Sequence, residues 1–311
     1  MDRIKNELKK VIIGQEKLIN SLLIGLLSDG HILIEGVPGL AKTTTINALS
    51  KSLGLDFKRI QFTPDLLPSD ITGTEMYNQK DNTFSIRKGP AFTNLLLADE
   101  INRAPSKVQS ALLEVMQEKQ ITIGDKTFKL DLPFLVLATQ NPIEQEGAYK
   151  LPEAQLDRFM LNVLVDYNTI DEEFEIVQKV ANNTFSTINK IIEKDELEEI
   201  KEKVKNIHVD DAILKYMLKI IFATREPEKY GVETIKEYIE YGVSPRASID
   251  LYKAAKASAF LSGKDFVTPV DIANVLEEVL RHRIILNYNA ESEDINQNFI
   301  IQEILNTIPI P

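Results

Sequence analysis

The stretch Gly36-Val37-Pro38-Gly39-Leu40-Ala41-Lys42-Thr43 limits what this chain can fold into more than any other. It follows a short apolar run, 31–35, rich in strand formers. It leads into Thr44–Ser50, where Ile46 and Leu49 suit a helix. Strand, glycine loop, Lys-Thr, helix is the context of a phosphate-binding loop. Glycine lets the backbone curl until several N–H groups point at one anion, and the helix N-terminus adds the positive end of its dipole. Lys42 then reaches the β- and γ-phosphates, and the Thr43 hydroxyl can ligate Mg²⁺. Gly36, Val37, Pro38, Gly39, Leu40, Ala41, Lys42, Thr43 and Thr44 are the candidate phosphate contacts. The usual pattern has Gly immediately before the Lys, where this chain has Ala41. Ala suits a helix start but not a positive φ, so helical dihedrals are expected at position 41. The bland alternative is a Gly-Pro turn before an ordinary helix.

Bulk properties narrow the classes. With 311 residues, 43% of them hydrophobic, the chain can form one large or two ordinary domains. The net charge of −11 argues against nucleic acid as a partner. With no cysteine there is neither a disulfide framework nor a thiolate metal site. No apolar run approaches the roughly 20 residues that span a bilayer, so no membrane insertion is expected. The first residues carry acids and lead into no signal-type apolar block, which makes a cytoplasmic location the expectation.

Residues 2–28 read as helical, with Ile4, Leu8 and Val11 on one face, then a break at Ile12-Ile13-Gly14-Gln15. A break just upstream of a phosphate loop could hold a purine base, or be only a turn between two helices covering the sheet. Residues 57–62 alternate and read as a second strand. A hairpin is expected at about 74–87 and another at about 120–131, around Gly124-Asp125.

Leu95-Leu96-Leu97-Ala98 reads as a strand buried on both faces, ending in Asp99-Glu100. Ligands in open α/β sheets bind at the carboxyl ends of strands, so these acids lie beside the phosphate loop if their strand neighbours the first. Asp99 can hold Mg²⁺ beside Thr43, and Glu100 can polarise a water for in-line attack on the γ-phosphate. Phe134–Ala138 is a further buried strand; Asn141, three residues past its end, either orients that water or sits in a plain turn before Pro142. Arg158 precedes a last strand at 160–165 and either pairs with Asp157 or reaches a neighbouring subunit's γ-phosphate.

These stretches, with Leu97–Ala104, Ala138–Pro142, Leu151–Phe159 and Gly242–Ala247, resemble the MoxR-type AAA+ ATPases over almost the whole chain. Ala before the Lys is usual in that family. The resemblance implies an α/β fold: a P-loop parallel five-stranded sheet sandwiched by helices, the AAA+ core, followed by a small all-α lid. In its terms Lys42 and Thr43 look like Walker A, Asp99 and Glu100 like Walker B, Asn141 like sensor 1, Arg158 like the arginine finger and Arg246 like sensor 2. Ile13, Gly14 and Gln15 look like the segment near adenine, and the two hairpins like the helix-2 and pre-sensor-1 inserts. ATP or ADP with Mg²⁺ is the implied ligand, a ring of identical subunits, taken as a hexamer, the implied assembly, and a client protein with a von Willebrand factor A domain the implied partner. Arg103 is then a second intersubunit arginine or a structural one.

The division expected is a core over 1–182 and a helical lid over 183–311. Asn182-Asn183-Thr184 is a polar break; Ser244-Pro245 and Thr268-Pro269 open helices as a capping residue followed by proline. On spacing alone Arg246 pairs with Asp250 at i,i+4; on the resemblance it contacts nucleotide. His31, His208 and His282 form no spaced metal set. Arg281-His282-Arg283 is either a basic patch or the close of a helix C-terminus. The leading function is an ATP-hydrolysing motor or chaperone that remodels, matures or inserts metal into a client. A magnesium-chelatase-like motor, a DNA-associated motor and a nucleotide-gated scaffold that hydrolyses little are the competitors.

Overall fold

The apolar runs become strands because each can be covered on both faces. In the computed structural model, which describes residues 1–37, 39–80, 82–141, 149–182 and 186–311, the strands in chain order are β1 (Ile32–Glu35), β2 (Phe57–Gln61), the hairpin β3 (Gly73–Asn78) and β4 (Thr83–Lys88), β5 (Leu95–Asp99), the hairpin β6 (Gln120–Ile123) and β7 (Lys126–Lys129), β8 (Leu135–Gln140) and β9 (Leu161–Leu164). Five of them make one parallel sheet in the order β2-β5-β8-β1-β9. Leu33, Leu96, Leu97, Val136 and Leu137 on its inner strands are fully buried. After β1 the chain crosses to the far edge, works back to β8, then adds β9 on the other side of β1. The loop after β1 therefore sits at the carboxyl edge where the strand order reverses, the place where open α/β sheets bind ligands.

The strand carrying the acids, β5, does not neighbour β1: β8 pairs with both and lies between them. The adjacency expected for the acid-bearing strand is therefore not found; Asp99 and Glu100 still line the cavity over the loop from one strand further away, with Thr139 and Asn141 at the end of β8 beside them.

The chain forms two compact units, Met1–Arg158 with Val163–Leu197, and Phe159–Asn162 with Glu198–Pro311. In the first, helix α1 (Asp2–Leu8) buries Ile4 and Leu8, and α2 (Glu16–Ser28) buries Leu18, Leu22, Leu23 and Leu26. Between them Gly14 and Gln15 take left-handed backbone, which breaks the helical run where the sequence does. α3 (Lys42–Leu53) follows the glycine loop, and the short α4 (Pro68–Thr72) precedes the first hairpin. α5 (Ser106–Glu118) buries Val108, Leu112, Val115 and Met116, one stripe of a 3.6-residue period. α6 (Glu153–Leu156) and α7 (Ile170–Ala181) follow. The Thr169 hydroxyl accepts from the Glu172 N–H (3.3 Å) and the Glu172 carboxylate accepts from the Thr169 N–H (2.8 Å), a reciprocal cap on α7.

His31 is part of this core. Its Nδ1 accepts from the Val136 N–H (2.9 Å), which leaves Nε2 to donate to the Met116 carbonyl (3.0 Å). Burial pushes its pKa down to about 4, so the ring is neutral with both nitrogens engaged, joining β8 to the end of α5.

The second unit holds most of α8 (Lys194–Lys205), then α9 (Asp211–Ala223), α10 (Pro245–Leu261), α11 (Pro269–Leu280), α12 (Tyr288–Ser292) and α13 (Gln297–Thr307). Ser244 caps α10 by accepting from the Arg246 N–H (3.2 Å), with Pro245 in the first turn. Asp271 accepts from the Thr268 N–H (2.8 Å) and pairs with Lys264 (3.0 Å), so the buried carboxylate at the start of α11 is satisfied. The unit is not wholly helical: β10 (Ile239–Tyr241) and β11 (Ile285–Leu286) form an antiparallel ribbon. Strands of two and three residues carry no readable period, which is why an all-α lid is what the sequence suggests. No helix among the described residues is long and apolar enough to cross a membrane.

Candidate nucleotide-binding site

The glycine loop starts against neighbouring strands. The Gly36 N–H donates to the Gln140 carbonyl (3.3 Å), and a Cβ on Gly36 would lie 2.7 Å from the Val165 carbonyl oxygen. Only glycine fits there. Gly39 has φ +92°. The helical dihedrals expected at Ala41 are not found: its φ is 53° and ψ 16°, left-handed. The chain turns once more to enter α3 at Lys42, and that turn outweighs alanine's preference, at a cost of about 1–2 kcal/mol. Gln15 (φ 56°) and Glu100 (φ 56°) are non-glycine residues in the same region. Backbone held in sparsely populated dihedrals gathers at sites where geometry is fixed for function. Pro38 lies outside the described residues.

A cavity of about 370 Å³ opens over this loop. Gly36, Gly39, Leu40, Ala41, Lys42, Thr43 and Thr44 line one side; Arg59, Asp99, Glu100, Thr139 and Asn141 line the other. The Lys42 ammonium is turned onto the Gly36 carbonyl (2.5 Å). Burial pushes its pKa down, opposed by the charges of Asp99 and Glu100. A cation, a hydroxyl and two carboxylates lining one cavity at the N-terminus of α3 fit a polyphosphate with a divalent ion. Val37 is half-buried beside the loop and is not among the lining residues.

A closed circuit of hydrogen bonds across β2, β5 and β8 sets the two acids. Asp99 accepts from the Thr139 hydroxyl (2.5 Å) on one oxygen and from Arg59 Nε and Nη2 (3.0 and 2.6 Å) on the other. Thr139 Oγ1 accepts from the Glu100 N–H (2.9 Å). The Glu100 carboxylate accepts from Gln61 Nε2 (2.6 Å) and Arg103 Nη1 (3.0 Å), and Gln61 Oε1 accepts from Arg59 (2.9 Å). Sequence reasoning missed Arg59, Gln61 and Thr139 as site residues. One signal was present: Arg59 and Gln61 are two apart in a strand and so share a face. Arg103 bonds within its own chain here, to Glu100.

A second, more apolar cavity of about 610 Å³ shares Gly39, Leu40, Ala41 and Thr44 with the first. Its far wall is Val11, Ile12 and Ile13 on one side, and Ile176, Val177 and Val180 of α7 on the other. This accounts for α7, which has the apolar face the sequence shows yet no buried residue. Gln15 Nε2 donates to the Asp166 carbonyl (3.1 Å) and to Asn168 Oδ1 (2.8 Å), tying the 13–15 segment to the approach to α7. At Gly14 a Cβ would meet the Glu172 carboxylate at 2.8 Å.

Asn141 is buried at the cavity edge. Arg158 lies after α6, half-buried, its N–H donating to the Gln155 carbonyl (3.2 Å); it does not line the cavity of its own chain among the described residues. Arg246 occupies the first turn of α10 in the second unit. The carboxylate of Asp250, its i,i+4 neighbour, accepts from Arg283 (2.5 Å).

Residues 31–161 match the model of the ATPase family associated with various cellular activities (AAA), and residues 233–304 match an AAA lid domain. The chain is 46% identical to Chaperone MoxR1 of Mycobacterium tuberculosis, over 100% of this chain and 82% of that protein. It is 31% identical to Protein MoxR of Paracoccus denitrificans, over 98% and 94% respectively. The solved structure of a candidate ATPase from Cytophaga hutchinsonii superposes with a TM-score of 0.94 at 52% identity, covering 100% of this chain and 94% of that one. A glycine loop and an acid-tipped strand brought to one cavity, family models matching both a core and a lid, and relatives aligned over nearly all of this chain agree: the chain belongs to the MoxR family of AAA+ ATPases.

Proposed function

We propose that this protein binds ATP with Mg²⁺ across its two adjoining cavities and hydrolyses it, within a ring of identical subunits, to remodel a client protein. The observation that carries this reading is the single cavity into which the loop, Lys42, Thr43, Asp99, Glu100 and Asn141 all face. The purine fits the apolar cavity beside Ile13, and the triphosphate runs over the shared loop residues into the polar one. Lys42 leaves the Gly36 carbonyl for the β- and γ-phosphates. Thr43 and Asp99 are the residues that hold the metal, which supplies positive charge to the phosphate oxygens. Glu100 takes a proton from the attacking water as the water oxygen bonds to the γ-phosphorus and the bond from that phosphorus to the β-phosphate oxygen breaks, releasing ADP and phosphate. Asn141 orients that water. Arg158 of a neighbouring subunit offsets charge on the transferring group, and Arg246 reports the nucleotide state to the helical unit.

The resemblance adds that the ring is a hexamer and that the client carries a von Willebrand factor A domain, whose metal site makes maturation or metal insertion a sensible task. The test is phosphate release from ATP by the purified chain, with its mass measured by light scattering with and without nucleotide. Mg²⁺-dependent release by an assembled form supports the reading. A chain that binds ATP but releases no phosphate in any assembly state returns it to a nucleotide-gated scaffold.

A further inference from the structure

We propose that Arg281, His282 and Arg283 are positioning residues for Arg158, forming a clamp by which the helical unit sets where that arginine points. This rests on the reading of Arg158 as a residue that acts on a neighbour's nucleotide.

Phe159–Asn162, the segment directly after Arg158, packs as part of the second unit. Three consecutive side chains at the end of α11 each donate to its backbone. His282 Nε2 and Arg283 Nη2 both reach the Phe159 carbonyl (2.8 Å each). Arg283 Nη1 reaches the Met160 carbonyl (3.4 Å), and Arg281 Nη1 reaches that of Asn162 (3.1 Å). Arg283 also donates to the Val279 carbonyl (2.7 Å), so it closes the helix end as well. Closing a helix needs one such side chain; here three in a row turn to carbonyls of a segment more than a hundred residues away in sequence.

The clamp is braced from three helices. Arg283, whose side chain is only 1% exposed, is held by Asp250 of α10 (2.5 Å). Arg281 is held by Glu277 of α11 (3.1 Å) and Asn298 of α13 (2.9 Å). Burial and the two flanking guanidinium charges keep His282 neutral, with its proton on the nitrogen that donates to Phe159. The side chains of Phe159 and Met160 are buried. Adjacent Cα atoms across a trans peptide are about 3.8 Å apart, so fixing Phe159 leaves Arg158 little freedom except in its own side chain. The same helices carry Arg246 one turn before Asp250. Within the second unit a chain of contacts therefore runs from Asp250 through Arg283 to the Phe159 carbonyl, and Phe159 is the residue bonded directly to Arg158.

The experiment compares Arg281→Gln, His282→Leu and His282→Gln with the wild type for kcat, KM, MgATP affinity and the midpoint of thermal unfolding, each alone and in an Arg158→Ala background. Glutamine at 282 places an amide N–H near where imidazole Nε2 lies; leucine has none. Arg281→Gln and His282→Leu are expected to lower kcat roughly ten- to hundredfold, the scale for a misplaced group, with MgATP affinity kept. His282→Gln recovers most of the rate, and neither loss is added to that of Arg158→Ala. Normal kcat in the first two variants, when Arg158→Ala alone is slow, overturns the clamp and spares the reading of Arg158. So does a loss that multiplies with Arg158→Ala, or one that follows the unfolding midpoint rather than the N–H at 282. Normal turnover by Arg158→Ala itself overturns both.

Discussion

Replacing Glu100 with glutamine is expected to lower ATP turnover by about 10²–10⁴-fold, the range for removing a general base, while MgATP still binds. Glutamine has nearly the shape of glutamate and keeps an oxygen to accept from Gln61 and Arg103, so the local circuit survives. What disappears is the negative charge and the capacity to take a proton. The backbone argues for this role too: Glu100 is held at φ 56°, a conformation a side chain of its size rarely adopts. That turn directs the carboxylate off the strand end and into the cavity. Phosphate release and equilibrium binding measured on the same preparation check it. Turnover within twofold of wild type would assign Glu100 a structural part.

Arg158→Ala is expected to lower turnover by about 10³–10⁵-fold, the scale for an arginine supplied to a transferring phosphoryl group. MgATP affinity should change little, because Arg158 is not among the described residues lining its own chain's cavity. The sharper consequence concerns mixtures. A ring mixed from Glu100→Gln and Arg158→Ala subunits contains junctions where an intact Arg158 faces an intact Glu100. Such mixtures should hydrolyse ATP faster than either variant alone. If mixed assemblies form and no activity returns, Arg158 does not act across a subunit boundary.

Much of this site is legible in the sequence because its parts are local. The glycine loop, Lys42-Thr43 and the Asp99-Glu100 pair are each contiguous, and the flanking apolar runs say which elements carry them. The hairpins and the caps at Ser244 and Thr268 are legible for the same reason. What is hidden depends on pairing across distance. Gln61 stands opposite Asp99 only once β2 and β5 are in register, and Thr139 meets Asp99 from 40 positions away. The left-handed turn at Ala41 runs against local propensity and is set by the loop around it. Arg281-His282-Arg283 looks like a helix end with basic residues until its carbonyl partners near residue 160 are seen.

The central claim is that a triphosphate lies between the glycine loop and the acid-tipped strand, with Lys42 its principal cation. Equilibrium binding of MgATP to wild type and Lys42→Ala, by titration calorimetry on folded protein of matched unfolding midpoint, addresses it most directly. The account predicts a loss of affinity of at least about tenfold, the scale of one charge-assisted hydrogen-bond pair to phosphate. Equal affinity in the two proteins would contradict it.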